Sequence, residues 1–338
     1  MKFTHLGRTG LKVSIVGLGG GGPSRFGLAY GGSAKSAVGL IRHGLDQGIN
    51  LIDLAGPLYG TDEVVSYAIK ECRSQVIIST KANLGPPLWA LEGNRTAARA
   101  SARVGEIASY VASERVVEDR LNASLRRLKT DYIDVFSLHA VSPKQYDAAI
   151  DRVLPYLVRL KDKGKIRWIG ITETFTRDPL HQMLARAAAA GAFDSIMIAL
   201  NILNPSGAAI AAQARTHGSG IIAMQAIGRP FRNEQSLQGL LNKLISRGTL
   251  TSAEGDARRL MRVLNNHGIR TLAETALRFC QHELGPDVIL TGTGHIDHLD
   301  ANITACHAGP LPEPLSAEFR KLFAPLVARR RGLGIPAV

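Results

Sequence analysis

Three side chains of complementary chemistry lie where two predicted strands end. Short apolar runs predict strands at 50–53 and 75–80, so Asp53 ends the first strand, Lys81 follows the second, and Tyr59 lies in the loop after Asp53. A phenol with an ordinary pKa of about 10 donates protons poorly at neutral pH unless a nearby cation favours the phenolate. Lys81 supplies such a cation, and Asp53 would keep that lysine charged in a buried site. The trio therefore predicts that Tyr59 gives a proton to a carbonyl oxygen or takes one from an alcohol.

A third predicted strand, 131–139, ends in His139. Taken singly, a polar residue at a strand end is more often a turn, hydrogen-bonding or solvated residue, and a loop tyrosine is more often packing. Three polar strand ends in succession change that balance, because an α/β barrel assembles its active site at the C-terminal ends of parallel strands. We expect His139 to orient the substrate carbonyl. A Schiff-base enzyme with Lys81 as its nucleophile is an alternative.

The elements that must position these residues alternate between strand and helix along the whole chain. An N-terminal β-hairpin at about 1–16 is predicted to lead into a strand at 13–18, and eight strand–helix units then predict a (β/α)8 TIM barrel with long active-site loops. We expect one domain, 1–338, with a basic tail at about 325–338. Thr61 and Ser113 are predicted helix N-caps. The other predicted strands are 166–172, 194–200, 220–224 and 287–290, and the predicted helices are 36–47, 61–72, 112–128, 144–163, 179–190, 207–217 and 272–282, with further helices in 233–266.

A glycine-rich loop at 19–22 follows the first predicted barrel strand. Its text, GLGGGG, lacks the third glycine in register, and no acidic residue closes a following βαβ strand. A Rossmann dinucleotide fold is therefore not indicated. A flexible loop that lets a ligand approach the backbone is the better interpretation.

Composition argues against several classes of protein. A chain of 338 residues with 45% apolar content can bury a large core, and its three widely spaced cysteines indicate neither a metal site nor a disulfide framework. The start of the chain has no apolar signal region and no apolar run reaches about 18 residues, so we expect a cytoplasmic protein without membrane contact. The net charge is +13, but the Lys and Arg residues are scattered along the chain and aromatic residues are few, which does not favour nucleic-acid binding. A cationic surface would still attract a phosphorylated cofactor.

The chain resembles the aldo/keto reductases over nearly its whole length. The matching segments are LGRTGLKVSIVGLG, GINLIDLAGPLYG, VIISTK, RLKTDYIDVFSLH, LKDKGKIRWIGIT and VILTGTGHIDHLDANI, in the family's order. The resemblance places the family's catalytic Asp, Tyr, Lys and His on Asp53, Tyr59, Lys81 and His139. It implies hydride transfer, without a metal, between NADP(H) or NAD(H) and the carbonyl or alcohol carbon of an aldehyde, ketone or aldose. The cofactor would lie extended across the barrel mouth.

The same resemblance assigns contacts with the nicotinamide. Thr172 and Glu173 stand where the family commonly has Ser and Asn, and Met197 stands where it has Gln. Met224 replaces the tyrosine that usually stacks on the nicotinamide ring, and its thioether can lie against an aromatic face.

Contacts with the phosphates and the adenosine are assigned in the same way. NADP-preferring members place a Lys and an Arg against the 2′-phosphate, where this chain has Gly292 and His298. Because the Lys and Arg that would bind the 2′-phosphate are absent, NADP is the first expected cofactor and NAD is expected almost equally. The assigned residues at this end are Gly228, Arg229, Gly292, Thr293, His298 and Asn302.

One departure from the family concerns the tyrosine. Five residues, 54–58, separate Asp53 from Tyr59, where the family usually has four, so the loop must bulge by one residue. A preorganised site tolerates a displacement of only about 0.5 Å. The alternative to an enzyme is therefore a catalytically weak nicotinamide-binding sensor or regulatory subunit.

Substrate choice is weakly encoded. We expect Leu58, Trp89 and Phe175 to line the pocket for a small carbonyl or sugar substrate. The natural substrate, the direction of the reaction and the oligomeric state do not follow from the sequence.

Overall fold

Ten strands run through the part of the chain that the computed structural model describes, residues 1–56, 60–85, 110–175 and 177–330. The strands are β1 (Phe3–His5), β2 (Lys12–Ser14), β3 (Val16–Gly19), β4 (Leu51–Asp53), β5 (Ile77–Asn83), β6 (Ile133–Val141), β7 (Ile166–Glu173), β8 (Ser195–Ala199), β9 (Gly220–Met224) and β10 (Val288–Thr291). Strands β1 and β2 form an antiparallel hairpin, while β3 to β10 close into a parallel barrel in which β10 pairs with β3. The predicted (β/α)8 barrel with an N-terminal hairpin is confirmed.

Helices surround the barrel and cover its apolar outer face. In α2, for example, Val64, Val65 and Ala68 are buried at helical spacing. No helix in the described ranges combines the length and the apolar character needed to span a bilayer. The α-helices longer than one turn are α1 (Ala34–Asp46), α2 (Thr61–Ile69), α3 (Glu114–Leu128), α4 (Leu154–Asp162), α5 (Gln182–Ala190), α6 (Gly207–Thr216), α7 (Glu234–Ser246), α8 (Ala257–Asn266), α9 (Leu272–Phe279), α10 (Ile296–His307) and α11 (Glu313–Arg330).

Several predicted boundaries were wrong for local physical reasons. The predicted strand at 13–18 breaks at Ile15, because its first part pairs with β1 and its second part joins the barrel. Thr61 is not the N-cap of α2; that position is Gly60 with φ 69°, and Thr61 is buried as the first helical residue. Ser113 does occupy the N-cap of α3, but its side chain makes no capping hydrogen bond. Strand β6 continues past His139.

The hairpin closes the N-terminal end of the barrel. Leu6 and Val13 are fully buried and pack with residues of the barrel interior such as Val135 and Ile222. Gly7, with φ 48°, approaches β9 so closely that a Cβ there would lie 2.2 Å from a backbone nitrogen. This end is therefore filled by side chains and hairpin backbone.

Three aspartates pin neighbouring strands together at the same end. Each carboxylate accepts the backbone N–H of an isoleucine on the preceding strand: Ile78 to Asp134 at 2.9 Å, Ile169 to Asp194 at 3.0 Å and Ile221 to Asp287 at 2.7 Å. Each also has at least one cationic partner: Arg73 and Arg167 for Asp134, Arg8 and Lys161 for Asp194, and Arg215 for Asp287. These three aspartates therefore combine backbone hydrogen bonds with charge compensation.

Candidate active site

A buried ion pair joins the ends of β4 and β5. The Nζ atom of Lys81 lies 2.5 and 2.6 Å from the two carboxylate oxygens of Asp53, and it donates to the Leu54 carbonyl oxygen at 2.7 Å. Ser79 Oγ donates to Asp53 at 2.8 Å. All three ammonium protons of Lys81 therefore have acceptors. Such an ammonium has no free lone pair, which argues against the Schiff-base alternative.

Burial governs the electrostatics of this pair. Asp53 and Lys81 are each only 4% exposed. Burial raises the pKa of the Asp53 carboxyl above its ordinary value, while Lys81 and then Ser79 oppose that rise. Removing either partner would leave the other charge buried without compensation, which is costly. The pair therefore holds Lys81 in one place.

His139 lies on the neighbouring strand, β6, beside Asn83 of β5. Burial, and then the charge of Lys81, lowers the pKa of His139 to about 3. The imidazole is therefore neutral at physiological pH and can direct an N–H at a carbonyl oxygen. A register shift follows Leu138, and Ala140 adopts a φ of 56°.

The loop after Asp53 lies against the backbone of Lys81. Gly56, with φ 86°, lies so close to β5 that a Cβ there would be 2.6 Å from the Lys81 carbonyl oxygen. Gly56 is the last residue described before the segment 57–59. Tyr59, Leu58 and Trp89, which the sequence assigned to catalysis and to the substrate pocket, lie outside the described residues.

A cavity of about 410 Å³ opens at the C-terminal ends of the barrel strands. Its volume is in the range usual for small-molecule sites. The glycine loop at 19–22 contributes three residues to its wall: Gly19, Gly21 and Gly22. The cavity also brings together ten residues predicted from the sequence: Asp53, Lys81, His139, Thr172, Phe175, Met197, Met224, Gly228, Arg229 and Gly292.

Thr172 is placed to bind a polar group in this cavity. Its Oγ1 accepts the Ala140 N–H at 2.9 Å. The hydroxyl hydrogen has no acceptor among the described residues, so Thr172 can still donate one hydrogen bond to a ligand.

Three predicted cofactor contacts lie beside the cavity rather than in its wall. Thr293 is buried, and its Oγ1 accepts the His295 N–H at 3.1 Å near the start of α10. His298 is exposed in the first turn of α10, with its ring edge-on to His295 at 5.1 Å between centroids. Asn302 is buried further along the same helix.

Glu173, the fourth such residue, is also absent from the cavity wall. Its carboxylate accepts the Ala199 N–H at 2.9 Å and lies 2.6 Å from His181 Nδ1. The other ring nitrogen of His181 lies 2.8 Å from Asn204 Nδ2. Burial raises the pKa of Glu173, while His181 and the Ala199 N–H oppose the rise. The side chain that replaces the family's Asn thus joins β7 to β8 and α5.

Sequence reasoning missed four polar residues of the cavity wall: Asn201, Gln225, Arg232 and Thr291. Asn201 follows a buried strand and donates to the Gln225 carbonyl oxygen at 3.2 Å, while Gln225 has an unusual φ of 58°. Arg232 lies three residues after Arg229 on one 3₁₀ helix, a spacing that places both side chains on the same face. The three-residue spacing of the two arginines could therefore have predicted Arg232 as a second cation of the cavity.

The far end of the cavity suits an anionic ligand. Arg229 and Arg232 are exposed, and neither forms an ion pair with any side chain in the described ranges. Gly228 and Gly292 add backbone without side-chain bulk. The donor set therefore fits an extended ligand with phosphates at this end and a polar ring near Thr172. The described residues contain no group of three or more His, Cys, Asp or Glu side chains that could hold a metal ion.

The sequence and the fold are similar to those of known proteins. The model of the aldo/keto reductase family matches residues 18–322. Aldo-keto reductase YhdN of Bacillus subtilis is 36% identical over 178 residues, which cover 51% of this chain and 47% of that protein. NADH-specific methylglyoxal reductase of Escherichia coli is 34% identical over 180 residues, which cover 50% of this chain and 51% of that protein. These matches span about half the length of the curated relatives.

A solved structure extends the similarity to the whole barrel. The aldo/keto reductase of Klebsiella pneumoniae, in complex with NADP and acetate, has a TM-score of 0.65 at 22% identity. The match covers 96% of this chain and 96% of that one. At this level of identity the likeness establishes a common fold.

Proposed function

Since the chain belongs to the aldo/keto reductase family, we propose that it is an NAD(P)-dependent oxidoreductase that interconverts a carbonyl compound and the corresponding alcohol. One observation carries this proposal. The ammonium of Lys81 is fixed within 2.6 Å of both Asp53 oxygens, in the same cavity wall as the neutral His139. A fixed cation beside a neutral hydrogen-bond donor suits proton transfer to a carbonyl oxygen.

The residues of this chain manage the proton. When bound, the nicotinamide cofactor gives a hydride to the carbonyl carbon or takes one from the alcohol carbon. Tyr59 gives its proton to the carbonyl oxygen during reduction and takes it back during oxidation. Lys81 favours the phenolate that reduction leaves behind, and His139 holds the carbonyl oxygen. The close approach of Gly56 to the backbone of Lys81 supports this role, since Tyr59 follows three residues later.

The cofactor would be held along the cavity. Thr172 is positioned to donate to its carboxamide, Met197 and Met224 to lie against its ring, and Arg229 with Arg232 to meet its phosphates. Contacts with the adenosine are proposed for residues beside the cavity. We assign Thr293, His298 and Asn302 to this role, and keep NADP and NAD as the two cofactors to test.

The substrate is proposed to be a small aldehyde, ketone or aldose. Phe175 is buried in the described wall of the cavity, and Leu58 and Trp89 are assigned to the same pocket. Methylglyoxal is a suitable first probe, because a relative that is 34% identical over about half of its length is named as a methylglyoxal reductase.

We also propose one domain, 1–338, and a cytoplasmic location. The pairing of β10 with β3 ties the C-terminal half of the barrel to its first strand. Cys72, Cys280 and Cys306 are all free thiols, as expected for a reducing compartment.

The proposal is tested by replacing the phenol alone. Tyr59→Phe should lower turnover of methylglyoxal and an aldose panel with NADPH and NADH at least about 100-fold, because general acid catalysis is lost. Cofactor binding, followed by fluorescence titration, should stay unchanged. Tyr67→Phe is a matched control, since Tyr67 is 58% exposed on α2.

Each other outcome has a distinct meaning. Equal turnover in Tyr59→Phe and wild type would contradict the role of Tyr59 in proton transfer. Cofactor binding without turnover of any substrate would favour the regulatory alternative. A protein that binds neither NADPH nor NADH would contradict the proposed function itself.

A further inference from the structure

The hydrogen bonds around Glu173 define the protonation of a buried network. Asn204 Nδ2 lies 3.2 Å from the Ala199 carbonyl oxygen, which can only accept, and Asn204 Oδ1 accepts from Ser206 Oγ at 2.7 Å. These contacts fix the amide orientation. The same Nδ2 faces His181 Nε2 at 2.8 Å, so this ring nitrogen must accept. His181 is therefore a neutral imidazole with its proton on Nδ1.

That proton placement determines the state of Glu173. His181 Nδ1–H donates to one carboxylate oxygen of Glu173, and the Ala199 N–H donates to the other. Two donors converging on both oxygens favour the carboxylate anion and oppose the rise in pKa that burial causes. Because the side chains of Glu173 and His181 are at most 1% exposed, water does not screen this charge. The network thus carries one net negative charge.

The anion lies directly behind the wall of the cavity. Glu173 follows Thr172, which lines the cavity, and Phe175, also in that wall, has its ring 5.4 Å from that of His181. Of the other described carboxylates near this wall, Asp53 pairs with Lys81, and Asp178 accepts the first N–H groups of α5 at 2.8 and 2.9 Å. The cationic side chains of Arg229 and Arg232 belong to the far end of the cavity. The Glu173 carboxylate, which has N–H donors but no cationic partner among the described residues, therefore lies behind the part of the cavity assigned to the nicotinamide.

We propose that Glu173 is a fixed anion that favours the oxidised, positively charged nicotinamide over the reduced, neutral one and so biases this protein towards alcohol oxidation. In that direction the alcohol carbon loses a hydride to the oxidised cofactor, and the hydroxyl proton passes to Tyr59. The inference rests on the proposed function and deepens it. The neutral Asn that the family commonly has at this position carries no charge that could discriminate between the two cofactor forms. The bias towards oxidation is therefore attributed to the charge of Glu173.

The test compares the affinities for the two cofactor forms. Dissociation constants for NAD⁺, NADH, NADP⁺ and NADPH would be measured by fluorescence or calorimetric titration of wild type and Glu173→Gln. Two unit charges about 10 Å apart at an effective dielectric of about 20 interact strongly enough to shift an equilibrium roughly tenfold. We expect Glu173→Gln to weaken the oxidised form relative to the reduced form by about that factor.

Controls separate this effect from a general loss of structure. Asp287→Asn removes a carboxylate that also accepts a backbone N–H and pairs with an arginine, but at the opposite end of the barrel. It should leave the ratio of affinities unchanged. If Glu173→Gln does not fold, Glu173→Asn is the second variant, because it carries the family's neutral residue and should weaken the oxidised form relative to the reduced form in the same way.

The outcomes distinguish the inference from the function beneath it. An unchanged ratio of affinities in a folded Glu173→Gln or Glu173→Asn variant would overturn the inference and leave the proposed function standing. Failure of wild type to bind any of the four cofactors would overturn the proposed function as well.

Discussion

The two ends of the barrel use the same kinds of residue in opposite ways. At the N-terminal end, Asp134 shares its charge with two arginines and with a backbone N–H, and the hairpin fills the space. At the C-terminal end, Asp53 holds one buried lysine at the edge of a cavity, near arginines that have no ion-pair partner within the described ranges. The first arrangement stabilises the fold, while the second leaves donors available to a ligand. Charged side chains that are fully paired within the protein stabilise its fold, whereas charged side chains without a partner in the protein can bind a ligand.

The largest expected effect is at the open end. Lys81→Met should reduce turnover about 10²- to 10⁴-fold, because the phenolate of Tyr59 loses its cation. Steady-state kinetics with NADPH and NADH would measure the loss. Lys161→Met is the matched control, since Lys161 pairs with Asp194 at 3.5 Å at the closed end. Unimpaired turnover in Lys81→Met would contradict the catalytic role assigned to the open end of the barrel.

At the closed end, the expected loss is in stability. Asp134→Ala should lower the free energy of unfolding by about 2–4 kcal/mol, because it removes the acceptor of the Ile78 N–H and the carboxylate that pairs with Arg73 and Arg167. Cofactor affinity should not change. Denaturant unfolding measures the first quantity and titration the second. Asp147→Ala breaks an exposed pair with Arg186 and should cost under about 1 kcal/mol; equal losses in the two variants would remove the distinction between the ends.

A smaller effect is expected for the arginines of the cavity. Arg232→Gln should weaken binding of NADPH about three- to tenfold, and the difference from wild type should shrink as salt is added. Arg258→Gln, an 81% exposed side chain on α8, should leave the affinity unchanged. A loss that is independent of salt would show that Arg232 acts through packing rather than charge.

The last expected effect concerns pH. The pKa of His139 falls from 6.5 to about 3 in the folded protein, so between these values the unfolded chain binds more protons at this site. The contribution of His139 to stability is therefore complete above about pH 6.5 and is lost as the pH falls towards 3. Unfolding free energies at pH 7.5, 6 and 5 should converge on those of His139→Gln as the pH falls. A constant difference would contradict the neutral state of His139.

Sequence patterns predicted the barrel and brought most of the wall residues together, because strand ends in a parallel barrel meet at one edge. Asp53, Lys81 and His139 were accessible in this way. Glu173 was assigned as a cofactor contact from its place in the chain, but its carboxylate forms hydrogen bonds with His181 and Ala199, and apolar patterns do not predict these side-chain contacts. Gln225 was missed because its position depends on a left-handed φ, which patterns of apolar residues do not encode.

The three aspartates at the closed end have a consequence for the alignment of the strands. Asp134 fixes β6 against β5 through Ile78, three residues before Lys81. Side chains alternate between the inside and the outside of a strand, so a slip of one residue exchanges the two faces. A slipped β5 would turn Lys81 out among the helices and bring Thr80 into the cavity. The aspartates at the closed end of the barrel therefore fix the strand register that directs Lys81 into the cavity at the other end.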